Sequence, residues 1–166
     1  MKRCVAFLVV VALLAPSTTF AVDSKGASYF GGTAGFKDAK DPVEGRLDTK
    51  DDAALLFVAD SKAFKGQTLS IPYSQIIDLE YGQKAGRRVG AAAATTVLLG
   101  PIGLLTLFSK KRNHFLTVGF KDADGKDQVA VFELGKDIVR TMLPIMETRS
   151  GKKVEYQDEE ARKSAK

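Results

Sequence analysis

The stretch HFLTVGFKDADGKDQVAVFEL, residues 114–134, contains the strongest local folding signal in the chain. Its first part alternates with period two, which places Leu116, Val118 and Phe120 on one face of a strand. DADGK, residues 122–126, is typical of a turn, with glycine where a positive φ is expected, and QVAVFEL follows as the returning strand. The stretch therefore predicts an antiparallel β-hairpin.

More strands are predicted upstream of this hairpin. Short strand candidates lie at 28–36 and 43–48, and ALLFVA (54–59) is a brief apolar run typical of a buried strand. TLSIPYSQIIDLEY (68–81) alternates again, and Pro72 within it indicates an edge strand or a bend, because proline cannot donate to a sheet.

The period becomes helical after the hairpin, over residues 135–151. Pro144 is expected to kink this helix because it removes one backbone hydrogen bond. The apolar residues at helical spacing are Ile138, Val139, Met142, Leu143 and Met146. The predicted fold is α+β and mainly antiparallel β, a bent sheet or partly open barrel capped by a C-terminal helix, with an inserted apolar helical hairpin.

The amino terminus indicates export from the cytoplasm. Residues 1–21 have two cations, a short apolar run and small residues before a cleavage point after Ala21, which is typical of a secretory signal peptide. An uncleaved N-terminal anchor is the alternative. Cleavage removes Cys4, the only cysteine, and lowers the net charge from +5 to +3 through loss of Lys2 and Arg3. We expect a periplasmic or cell-envelope protein without disulfides.

No pattern in the sequence indicates catalysis or a bound cofactor. His114 is the only histidine, so a zinc or haem site is not expected, and a structural or surface role is favoured for it. GQKAGRR (82–88) lacks the phosphate-loop pattern, and the aromatic residues do not interleave with cations as in nucleic-acid platforms. The sequence predicts neither an enzyme nor a nucleic-acid partner, with no metal and no cofactor.

RRVGAAAATTVLLGPIGLLTLFSKKR, residues 87–112, is the segment most relevant to function. Its twenty uncharged residues, Val89–Phe108, are long enough to span a bilayer as one helix. Gly100 and Pro101 near the middle favour instead a hairpin that enters one leaflet. Packing against the sheet, or between copies of the chain, is the third possibility.

Three sets of residues in and around this segment are predicted to act together. The cations predicted to meet lipid headgroups are Lys84, Arg87, Arg88, Lys110, Lys111 and Arg112. The residues predicted to insert or pack are Val97, Leu98, Leu99, Ile102, Leu104, Leu105, Leu107 and Phe108. The small residues predicted to form a helix–helix contact are Gly82, Gly86, Gly90 and Ala94.

These sets predict a non-enzymatic binding or adaptor module that associates with a membrane surface or an envelope protein. The alternative from another class is a structural envelope protein that self-associates through its small-residue face. A protein anchored by a single span is the least favoured. Salt should weaken membrane binding through the cations, whereas oligomers joined by the small-residue face should persist in detergent.

The order of elements resembles the pleckstrin-homology-like superfamily, in its bacterial PH and GRAM-type branch, and the whole chain is similar to exported bacterial proteins. The resemblance rests on EGRLDTKDDAALLFVAD, SIPYSQIIDLEYG, the 114–134 hairpin and the helix after it. It implies a PH-like domain over 43–150, interrupted by the insert at 87–112, with an N-terminal extension containing a short strand (22–42) and a polar tail (151–166). Such domains are generally non-enzymatic adaptors for lipids or peptides.

Overall fold

A computed structural model of the chain describes residues 26–36, 38–83 and 113–165. Residues 87–112, the predicted apolar hairpin, and residues 1–21, the predicted signal peptide, lie outside these ranges. The strands are β1 (Ala27–Gly32), β2 (Val43–Asp48), β3 (Ala54–Ala59), β4 (Thr68–Pro72), β5 (Ile76–Gly82), β6 (His114–Lys121), β7 (Asp127–Leu134) and β8 (Val154–Tyr156). The helices are α1 (Lys136–Ser150) and α2 (Glu159–Ser164), with a 3-10 turn at Tyr73–Gln75.

All the described strands belong to one sheet in the order β4-β3-β2-β1-β7-β6-β5-β8. Neighbouring strands are antiparallel, except for the parallel pair of β5 and β8. Within the described residues the sheet does not close, because β4 and β8 stand at its two ends and do not pair with each other. The predicted α+β class with a mainly antiparallel sheet is confirmed.

Strand β1 lies at the centre of this sheet, between β2 and β7. It covers Ala27–Gly32, a shorter range than the 28–36 expected, and ends at Gly31 and Gly32, which both have positive φ. The sequence placed β1 in an extension outside the main domain. Its position differs because β1 buries Ala27 and Tyr29 in the common core and pairs with the last hairpin strand.

The local features around the turns follow the prediction. β4 ends at Pro72, and a 3-10 turn leads directly into β5. Between β6 and β7, Gly125 has a φ of 76°. The Asp122 carboxylate accepts hydrogen bonds from the backbone N–H groups of Asp124 and Lys126, so Asp122 stabilises the turn.

Helix α1 packs against the inner face of the sheet. Its five predicted apolar residues are all buried, and the helix runs through Pro144 without ending there. It ends at Gly151, which adopts a left-handed conformation with φ 68° and donates its N–H to the Glu147 carbonyl. The helix thereby completes the main core that the inner faces of the strands share.

The C-terminal residues predicted to be a polar tail are folded onto the domain. Val154 in β8 is buried beside β5, and Ala161 in α2 is 0% exposed. The Asp158 carboxylate accepts the N–H of Ala161 at 2.8 Å and so caps α2. Val154 and Ala161 are the buried residues of β8 and α2, and both belong to the main core.

Arg149 joins the end of α1 to the β2–β3 connection. Its guanidinium donates to the Thr49 carbonyl, and at 3.1 Å to the Asp51 carbonyl. It also forms a 2.6 Å ion pair with Asp52 and lies 5.5 Å from the centre of the Tyr73 ring. The Arg149 side chain is only 11% exposed, so these contacts hold a largely buried cation between three parts of the fold.

Candidate functional site

The two ends of the apolar segment meet at one end of the sheet. β5 stops at Gly82 and β6 begins at His114, and the two strands pair along their length, with Gly82 opposite Phe115. Paired strands lie about 5 Å apart. The chain therefore leaves the sheet after β5 and returns to it at an adjacent position.

Most of the predicted site residues lie between these two points and outside the described residues. This holds for all six cations, all eight apolar residues, and Gly86, Gly90 and Ala94. Gly82 is the exception, and it is the last residue of strand β5 rather than part of a helix. The predicted helix–helix contact through small residues therefore has its first member in a strand. The Gln157 side chain occupies the space that a side chain at position 82 would need.

A hydrogen-bonded polar cluster lies at the base of the segment. The Tyr81 hydroxyl is 2.5 Å from His114 Nδ1 and 3.2 Å from the Ser164 hydroxyl, so the cluster joins β5, β6 and α2. Burial, together with the nearby charge of Lys136, lowers the pKa of His114. The Ser164 hydroxyl donates to the Ala161 carbonyl within its own helix. The cluster ties the C-terminal helix to the strands that carry the segment.

The outer face of β1, β7, β6 and β5, opposite the main core, carries a second apolar cluster. Phe30 and Phe115 meet edge to face at 5.1 Å, next to Val129 and Val131. Phe30 is 4% exposed, Phe115 3% and Val131 1%. We call this set of four residues the outer cluster. Its members are as buried as the main core, although they lie on the other side of the sheet.

Acidic side chains of β5 and β7 lie on the same face as the outer cluster. Glu133 of β7 pairs in register with Phe115, and Glu80 of β5 pairs with Thr117. Glu80 is buried and accepts a 3.0 Å hydrogen bond from the Gln157 amide. Burial raises the pKa of Glu133, since a carboxylate shielded from water is less stable in its charged form. Asp78, also on β5, lies directly over Gly119 of β6.

The outer cluster was not predicted, although the sequence contains a signal for it. Strands buried on one face alternate apolar and polar residues, whereas strands buried on both faces are nearly continuously apolar. VAVF in β7 (residues 129–132) and HFLTVGF in β6 are of the second type. This pattern places the outer faces of β6 and β7 among the candidate functional surfaces.

A groove of about 800 Å³ lies between edge strand β4 and the β6–β7 turn. Three of its polar side chains, Lys121, Asp122 and Gln128, form contacts within the β6–β7 hairpin. Lys121 forms a 2.7 Å ion pair with Asp127, and the Asp122 carboxylate accepts from the Gln128 amide at 2.8 Å. Asp122 has a lowered pKa, chiefly because of its hydrogen bond from Gln128. The groove therefore has a polar wall whose side chains stabilise a hairpin.

Within 26–36, 38–83 and 113–165, no three His, Cys, Asp or Glu side chains are grouped so that they could hold a metal ion. None of the helices in that same part of the chain has the length and apolar character needed to cross a membrane.

No protein family matches the chain, and no curated protein matches it at a significant level. Among solved structures, the hSac2 domain from human phosphoinositide phosphatase Sac2 is similar, with 12% sequence identity and a TM-score of 0.46. The match covers 95% of this chain and 90% of that domain. A likeness at this TM-score supports no conclusion about function, and the activity of Sac2 is not carried over to this chain.

Proposed function

We propose that this chain is an exported, non-enzymatic binding module that associates with an anionic membrane surface through residues 84–112. The pairing of Gly82 with Phe115 is the observation that carries the proposal. Because the segment leaves and rejoins the sheet at adjacent positions, its two cationic ends start from the same edge of the domain. Six cations presented together would each contribute about 1 kcal/mol near an anionic leaflet.

The same pairing favours a hairpin over a single span. A segment that crossed the membrane once would deliver β5 and β6 to opposite sides, yet these strands pair over most of their length. A hairpin turning near Gly100 and Pro101 has arms of about 15 Å if they are helical, enough to enter one leaflet. Insertion of such short arms would be marginal, so the cations would provide much of the binding.

The proposal includes a PH-like architecture for residues 27–150. An open antiparallel sheet, a final hairpin and one helix packed on the inner face support this assignment. The structural contacts of Asp122 and Gln128 in the groove, and of the side chains around Tyr81, support the non-enzymatic role. These side chains stabilise the β6–β7 turn and hold α2 against the sheet.

Vesicle sedimentation tests this function. Residues 22–166 should sediment with vesicles containing anionic phospholipid, more weakly as salt is raised, and poorly with zwitterionic vesicles. Replacing Lys110, Lys111 and Arg112 with glutamine should abolish most of the binding. The matched control replaces three exposed lysines elsewhere, Lys40, Lys62 and Lys65, and should bind like the parent.

Two results would contradict the proposal. One is equal binding to anionic and zwitterionic vesicles. The other is equal weakening by the two triple substitutions, which would indicate a response to net charge alone. Oligomers that persist in detergent and are lost when Gly90 is replaced by leucine would favour the self-associating envelope protein instead.

A further inference from the structure

The outer cluster is buried, but the described helices do not account for its burial. α1 and α2 bury their apolar side chains in the main core, and neither contributes to the outer cluster. Val58 and Val131 provide a comparison, since both are valines on outer faces of strands with neighbours on each side. Val58 on β3 is half-buried, whereas Val131 on β7 is 1% exposed. This difference is what a segment packed over β7 but not over β3 would produce.

The position of residues 84–112 makes this segment the natural cover. It starts two residues after Gly82, the end of β5, and ends just before His114, the first residue of β6 and the neighbour of Phe115. The cluster extends from β6 across β7 to β1, about 10 Å at ordinary strand spacing. One ten-residue helical arm of the segment, about 15 Å long, would reach across all three strands.

The charges of the segment and the outer face are complementary. Asp78, Glu80 and Glu133 lie on the face. Residues 82–120 contain no Asp or Glu, and their six Lys and Arg residues lie in the two groups that flank the apolar run. Apolar contact at the centre with opposite charges at the rim is a common arrangement for specific association.

We propose that the outer face of β6, β7 and β1 is a docking surface for residues 89–108 of the same chain when no membrane is present. The apolar run lies over the outer cluster, and its flanking cations lie near Glu80 and Glu133. This contact does not depend on membrane binding. If both occur, an anionic membrane competes with the sheet for the same segment, and docking keeps the apolar run out of water before the membrane is reached.

The absence of tryptophan from the chain allows a direct test in solution. Tryptophan is introduced singly at Leu98 or Leu105, one in each half of the segment, in residues 22–166 without lipid or detergent. At least one of the two should emit at shorter wavelength than the same chain unfolded in urea. Solvent-exposed emission from both would overturn the proposal, whatever the vesicle experiment shows.

Substitutions on the sheet identify the docking surface. Val131→Asp should shift the buried tryptophan emission toward that of the unfolded chain, whereas Val58→Asp, the matched change on the outer face of β3, should leave it unshifted. Val131→Thr and Val58→Thr repeat the comparison with near-isosteric residues in case the aspartate variant fails to fold. Equal responses at positions 131 and 58 would overturn the proposal.

The other possible occupants give different results. If a second copy supplied the segment, the blue-shifted emission would appear only at concentrations where the chain dimerises by analytical ultracentrifugation. Emission that is independent of concentration in a monomer supports docking within one chain. Failure of the membrane proposal can be distinguished from failure of the docking proposal. A segment that docks and never leaves the sheet would give buried tryptophan emission but no sedimentation with vesicles.

Discussion

Gly82 and Phe115 face each other across the β5–β6 pair, and the polypeptide between them contains the whole apolar segment. Phe115 also points to the outer side of the sheet, where it meets the Phe30 ring. One residue therefore marks both the return of the segment to the sheet and the start of a buried apolar surface. The proposals for membrane association and for docking both follow from this arrangement.

Arg149→Ala should lower the free energy of unfolding by about 3 kcal/mol. The substitution removes charge-assisted hydrogen bonds to the Thr49 carbonyl and Asp52 from a largely buried site. Urea denaturation followed by circular dichroism measures the change. Arg162→Ala, which removes an exposed pair with Glu159, is the control and should cost less than about 0.5 kcal/mol. Equal costs would show that the Arg149 contacts contribute little.

Two glycine substitutions should show how much a steric clash and a positive φ each cost in stability. A β-carbon on Gly45 would lie 2.3 Å from the Val58 carbonyl oxygen, so Gly45→Ala should destabilise by about 3 kcal/mol. Gly151 has open space around it but a φ of 68°, so Gly151→Ala should cost only about 1 kcal/mol. Thermal unfolding of the two variants compares them. A larger loss at Gly151 would contradict the packing of β2 against β3.

Stability should fall as pH drops below about 6.5, and His114 should be the cause. Burial lowers the pKa of His114 in the folded chain, so the unfolded chain binds the proton more readily. The His114 contribution is therefore fully present above the unfolded pKa and is lost as pH falls toward the folded pKa. Burial raises the pKa of Glu133 in the folded chain. The contribution of Glu133 to stability is therefore present below about pH 4.5 and is lost as pH rises through the folded pKa.

Comparison with His114→Gln separates the pH dependence of stability that is due to His114 from the part that is due to carboxylates. Glutamine keeps a side-chain acceptor near the Tyr81 hydroxyl but does not titrate. Urea midpoints of the two proteins should converge as pH falls from about 7.5 to about 5.5. If the urea midpoints of the two proteins changed in parallel over that pH range, His114 would not be the cause of the loss of stability.

The sequence predicted the features that depend on local pattern. β2 and β3 were found with their observed bounds, and the β6–β7 hairpin was found with its turn at Gly125. Each is encoded by alternation or one residue with special backbone freedom. These signals act over a few residues and do not require knowledge of which strands become neighbours.

The features that were missed depend on contacts distant in sequence. The central place of β1 is set by its pairing with β7, about a hundred residues later. The Arg149 cluster joins α1 to Thr49 and Asp52, and β8 is held by pairing with β5. The candidate site was predicted only as a segment, because the sheet face beside it is assembled from three separate strands.

The central claim is that the chain before residues 84–112 and the chain after them lie on the same side of the membrane. Cysteine accessibility tests this claim most directly. Residues 22–166 contain no cysteine, so single cysteines at the exposed positions Lys62 and Lys152 bracket the segment. The expressing cells are labelled with a membrane-impermeant thiol reagent, intact and after permeabilisation. We predict that both positions react under the same condition, as paired β5 and β6 strands require. Reaction of the two positions on opposite sides of the membrane would contradict the account.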